Sequence, residues 1–96
     1  MSDRSSSSQP NRFDEERQEA IRRAKQLFRH IQREGRDLSE GPCIAEEILP
    51  GWCVDIAHDP RQPEDNLPQN QCQSYRTGRA RHFVELDPEG NVIRAE

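Results

Sequence analysis

Three cysteines and one of the three histidines fall within a single segment of this 96-residue chain, at Cys43, Cys53, His58 and Cys72. Three thiolates and an imidazole form a ligand set that zinc accepts. The spacing does not favour it, because no two of the four stand at the short separation of zinc-knuckle motifs. On a strand running from Trp52 to His58, Cys53 and His58 would also point to opposite faces. Buried cysteines more commonly serve as small apolar residues. The expectation is therefore no metal and no resident cofactor, with zinc on Cys43, Cys53, His58 and Cys72 as the alternative.

Two other chemistries can be built from the same region. Cys72 lies near the start of an expected helix, where the helix dipole lowers a thiol pKa and would favour a nucleophile. His58 and His82 with Arg61 could cleave RNA by proton transfer and phosphate stabilisation, as a minimal ribonuclease-like toxin or hydrolase. Asp59, Glu64 and Asp65 oppose this, since they would repel a phosphodiester. Nothing in the sequence places either histidine beside Cys72 or beside the other.

The stretch Pro42 to Cys72 also holds the only tryptophan and five of the seven prolines. Prolines stiffen a loop by restricting its unfolded alternatives. Charge is unevenly spread. Residues 1–36 carry nine Lys/Arg against six Asp/Glu, residues 37–73 carry one against eight, and residues 74–96 carry four of each. A stiff acidic loop beside a tryptophan suits recognition of a basic protein partner, which charge complementarity would steer. The expected contact residues are Trp52, His58, Asp59, Arg61 and Asp65. Arg76, Arg79, Arg81 and Tyr75, with the arginines of the first helix, are material for phosphate contact. The acidic middle of the same small body argues against nucleic acid.

No apolar run occupies Met1 to Pro10, and no stretch reaches the length of a membrane span. The expectation is a cytoplasmic protein with reduced thiols and no membrane contact. Only 30% of the residues are hydrophobic and 33% are charged, so the core must be thin.

The elements that must position these residues follow from periodicity. Residues 1–10 read as a disordered tail and residues 11–96 as one small α+β domain. Phe13, Ala20, Ile21, Ala24, Leu27, Phe28 and Ile31 lie on one face of a long amphipathic helix over 11–34. Asn11 suits its start and Gly35 its end. The stripe should pack on the chain's own sheet; the alternative is a homodimer seam along Ala20, Ala24, Leu27 and Ile31. Pro42 predicts a short helix over Cys43 to Leu49. Trp52 to His58 is a strand with Trp52, Val54 and Ile56 on one face. Asp59 to Asn66 is an extended loop and Pro68 to Arg76 a second short helix. His82 to Leu86 and Asn91 to Ala95 form a hairpin about Asp87-Pro88-Glu89-Gly90. The sum is a long helix on a small antiparallel sheet with one or two short helices.

From Leu38 to Arg94 the order of short segments GPC, PGW, HDPRQP, LPQNQC and HFVELD resembles a group of small prokaryotic proteins of unknown role. That resemblance implies an intact natural domain and assigns no activity to any residue.

Overall fold

The computed structural model describes residues 12–96; the expected tail and the cap at Asn11 lie outside the described residues. Helix α1 spans Arg12–Arg33. Asp14 and Glu15 occupy its first turn and His30 and Arg33 its last, the order that complements the helix dipole. The helix stops where Gly35 turns to a φ of 76°. Its Ala20, Ala24, Phe28 and Ile31 are buried.

The expected helix over Cys43 to Leu49 is instead strand β1, Cys43–Leu49. Seven residues nucleate a helix poorly, whereas the two-residue link Pro50-Gly51 returns the chain directly as β2, Trp52–Ile56, with Leu49 opposite Trp52. Two register shifts in this pairing break the alternation that would have marked β1 as a strand.

Strands β3, His82–Leu86, and β4, Val92–Ala95, complete a four-stranded sheet of order β1-β2-β3-β4. The outer pairs are antiparallel but β2 and β3 run parallel, with Trp52 opposite His82 and Asp55 opposite Glu85. The sheet is therefore mixed, which corrects the antiparallel expectation. The connection over residues 57–81 makes the difference: parallel neighbours need a long crossover, and this one has the length.

That crossover holds short 3-10 turns at Pro63–Asn66 and Pro68–Asn70 and a one-turn helix α2, Gln73–Arg76. The single helix expected over Pro68 to Arg76 is broken because Gln71 and Cys72 are extended. The closing hairpin forms as expected. Gly90 donates to the Asp87 carbonyl at 2.9 Å, and the Asp87 carboxylate accepts from the Glu89 and Asn91 N–H groups.

The two sheet faces bury different things. One cluster joins Ala20, Ala24, Phe28 and Ile31 of α1 with Trp52, Val54, Ile56, Val84, Leu86 and Ala95 of the sheet. Three of the four residues of the expected dimer seam are thus spent inside the chain's own core, and Leu27 is half-buried beside them. The opposite face carries a smaller cluster of Cys53, Cys72 and Ala80, with Cys43 and Phe83 against it. Among the described residues no helix is long and apolar enough to cross a membrane.

Candidate functional site

Strand alternation sends Cys53, Asp55, Phe83, Glu85 and Arg94 to the face away from α1. The crossover passes over this face and encloses only part of it. Between them lies a cleft of about 300 Å³, walled by Asp55, Glu85, Arg94 and Phe83 from the sheet and by Arg61 and Tyr75 from the crossover. Phe83 and Tyr75 meet edge to face with ring centres 5.4 Å apart. The Arg94 guanidinium lies 5.2 Å from the centre of the Phe83 ring. Tyr75 is 48% exposed.

Two of the three carboxyl side chains that line the cleft, Asp55 and Glu85, stand in unequal circumstances. Glu85 is buried, and Arg61 Nη1 and Arg94 Nε each donate to it at 3.2 Å. Asp55 is its neighbour across the parallel strands. The Asp55 Oδ1 is enclosed and meets no donor. Burial, and then the Glu85 charge, push the Asp55 pKa up from an ordinary 3.8 to about 7. At neutral pH this carboxyl is poised between its two forms, so it both offers and accepts a proton. Cys53 shares the face, and burial together with Asp55 pushes its thiol up to about 11. It is a packing thiol and a poor nucleophile.

The expected contact residues divide. Trp52 has no exposed surface. Its ring stacks with His82 at 4.7 Å and with Phe13 at 5.7 Å, and its Nε1 donates to Glu16. The expectation that it anchors a partner directly is therefore corrected: with so few large apolar residues, the core claims it. Asp65 is 3% exposed and serves as the internal clamp of its loop. Its Oδ2 accepts from the His58 and Gln62 N–H groups at 2.9 Å, and its Oδ1 lies 2.9 Å from His58 Nδ1. Burial works to raise its pKa, but those hydrogen bonds win and the net shift is downward. Gly41, at a φ of 74°, packs against this clamp, and a Cβ there would sit 2.6 Å from Asp65 Oδ1. His58 is half-buried in the same clamp and Asp59 is exposed, preceding Pro60 through a cis peptide. Arg61 alone of the five lines the cleft. It ties the loop to the sheet by donating to Asn66, to the Asp65 carbonyl and to Glu85.

His58 and His82 are not brought together. His82 pairs with Trp52 at the start of the parallel strands. His58 lies six residues beyond Trp52 in sequence, or about 20 Å along the strand direction. The two-histidine ribonuclease arrangement is not formed.

The cysteines are also rearranged. Cys43 and Cys72 form a disulfide, and Cys53 is the buried free thiol. This corrects the expectation of three reduced thiols. It also corrects the role of Cys72, whose sulfur is bonded and not free to attack. His58, held by Asp65, is no part of that group. Glu46 is: its carboxylate accepts from the Gln73 and Ser74 N–H groups at 3.1 and 2.7 Å. Hydrogen bonding lowers the Glu46 pKa, although burial acts to raise it.

The sequence reading missed Asp55 and Arg94. A signal existed: an acid in the middle of each apolar run, VDI and VEL, is costly unless its site answers it. Nothing in the sequence reveals that the two runs lie parallel and in register. No family model, curated protein or solved structure matches this chain, so the cleft's own chemistry must carry the functional reading.

Proposed function

We propose that this chain is a small binding module that docks a protein partner at the open sheet face, with the Pro-rich crossover as one wall of the dock. The observation that carries the reading is the enclosed Asp55 oxygen without a donor in a cleft bordered by an exposed aromatic ring. An unpaired buried acceptor costs on the order of 1–3 kcal/mol. A partner lysine or arginine entering the cleft would pair with the Asp55 carboxyl where that residue lines the wall, and so offset part of this cost. Exposed Tyr75 supplies apolar contact at the mouth. The acidity of residues 37–73 favours a basic partner and speeds its encounter. Arg61 and Asp59 belong to this reading as positioning and rim residues, while Trp52, His58 and Asp65 hold the scaffold.

The test is site-specific photocrosslinking from position 75, with position 22 on α1 as the control. A discrete protein adduct from position 75 alone, lost in Asp55→Ala, is the expected result. Equal labelling from both positions, or labelling indifferent to Asp55, would overturn the reading.

A second reading has one specific observation behind it. A carboxyl with a pKa of about 7 beside a charged one suits acid–base catalysis. It would use Asp55 rather than His58 and His82. Turnover of a substrate with a pH profile inflecting near 7, abolished in Asp55→Asn, would select it over the binding role.

A further inference from the structure

One corner of the molecule is left unused by the cleft reading. Cys43 at the head of β1, Glu46 three residues on, and Cys72 just before α2 bring two sulfurs and a carboxylate oxygen within 4.8 Å of one another. The Glu46 oxygen lies 3.7 Å from Cys43 Sγ. We propose that, once the Cys43–Cys72 bond is reduced, this corner is a site for a thiophilic divalent cation of the zinc class, held by the two thiolates and the Glu46 carboxylate.

Three features support the ligand set. Zinc takes sulfur at about 2.3 Å and carboxylate oxygen at about 2.0–2.2 Å, so ligands around one tetrahedral ion stand roughly 3.3–3.8 Å apart. The two sulfurs need only separate modestly from their bonded positions. The carboxylate is already oriented, since the Gln73 and Ser74 N–H groups fix its two oxygens and the Ser74 hydroxyl donates to the Glu46 carbonyl at 2.8 Å. Such outer partners are what hold a ligand in place for a metal. Access is open, because Cys43 is half-buried and Glu46 exposed while Cys72 is buried. Water completes the fourth position from that side. Cys53 packs behind the sulfurs as an apolar wall.

The chemistry balances with a dithiol as reductant. The protein disulfide takes two electrons and two protons and becomes two thiols, while the dithiol becomes a cyclic disulfide. The cation then displaces one proton from each thiol, so binding weakens as pH falls. The corner thus alternates between a covalent staple and a metal clamp joining the same two segments. His58, which the sequence offered as a ligand, is replaced by Glu46. The corner adjoins the docking cleft, whose wall includes Cys72, but its metal chemistry does not rest on the partner-docking role.

The experiment uses the full chain, reduced with dithiothreitol, desalted anaerobically and titrated with cobalt(II). The expected result is one equivalent per chain with a thiolate-to-cobalt charge-transfer band, displaced by zinc(II) and absent from the oxidised protein. Cys43→Ser should abolish the band. Glu46→Gln, which keeps both cysteines and a hydrogen-bond acceptor, should weaken binding by at least about tenfold. Circular dichroism checks that each form is folded. If the reduced chain is unfolded, addition of zinc should restore its structure. Reduced chain that binds no cobalt, an oxidised chain that binds equally well, or a Glu46→Gln variant with unchanged affinity would each overturn the proposal.

Discussion

Asp55 and Glu85 stand opposite one another on parallel neighbouring strands, and the arginine hydrogen bonds go to Glu85. Arg61 and Arg94 both donate to Glu85, while Asp55 Oδ1 has no donor. Two carboxyls in one low-dielectric patch cannot both ionise freely. Here the asymmetry of their hydrogen bonding decides which one keeps its proton.

Stability should therefore depend on pH in a definite direction. The folded chain holds the Asp55 proton up to about pH 7, whereas the ordinary value is 3.8. A raised carboxyl pKa favours the folded state fully below the unfolded value, and that advantage drains away as pH rises through 7. Replacing Asp55 by Asn should stabilise the protein more at pH 8 than at pH 5, by about 1–3 kcal/mol after allowance for partial exposure. Urea unfolding at the two pH values measures this. An equal effect at both would show that Asp55 titrates normally.

The carboxyls with lowered pKa act in the opposite sense. Asp65, Glu46 and Asp87 are all held below their ordinary values by hydrogen bonds that outweigh burial. Their contribution is present above the unfolded pKa and is lost as pH falls through the folded one. Melting temperature should thus peak in the acidic range, near the ordinary carboxyl pKa of about 4, and decline as pH rises through 7. A melting temperature that climbs steadily from pH 4 to pH 9 would contradict this.

Glu85→Gln should release both arginines and destabilise the fold by about 1–3 kcal/mol, less than a fully buried pair would lose. The discount reflects Arg61 and Arg94 side chains that are 41% and 51% exposed. The same change removes the charge that raises Asp55, so the Asp55 pKa should fall. Carbon-detected NMR titration of the Asp55 carboxyl reads that shift, and an unmoved or higher pKa would refute the coupling.

Trp52→Ala should cost about 3–5 kcal/mol, because the indole is wholly enclosed among α1, the sheet and His82. Denaturant unfolding should show an early transition or none. A loss under 1 kcal/mol would mean that the indole is not the centre of the core.

Gly41→Ala should be destabilising by more than about 1–2 kcal/mol, the cost of a left-handed backbone for an L residue. The new Cβ would also press on Asp65 Oδ1, loosening the loop that carries Arg61. Amide exchange across residues 57–66 should accelerate relative to α1. Unchanged exchange would detach Gly41 from the clamp.

Periodicity and end signals were sufficient for α1, for β2 and for the closing hairpin. Apolar residues at helical spacing, acids before bases, and Gly35 after the last turn specify α1 locally. Asp87-Pro88-Glu89-Gly90 specifies its turn in the same way. β1 was misread because its bulged pairing erases the alternation, and its strand character comes from β2 rather than from itself. The direction of β3 against β2 was illegible for a related reason: a strand's own residues do not state which neighbour it joins or which way it runs.

Of the residues that local sequence offers for the site, Arg61 lines the cleft, while Trp52 and Asp65 are buried away from it. Trp52 reads as an anchor by type, and only packing shows that the core needs it. Asp55, Glu85 and Arg94 come from three strands, and Cys43 and Cys72 meet across 29 residues. What the chain determined by itself was each element whose signals lie within a few neighbouring residues. Tertiary structure decided the rest, because charge pairing, burial and sulfur bonding depend on distances that sequence separation does not encode.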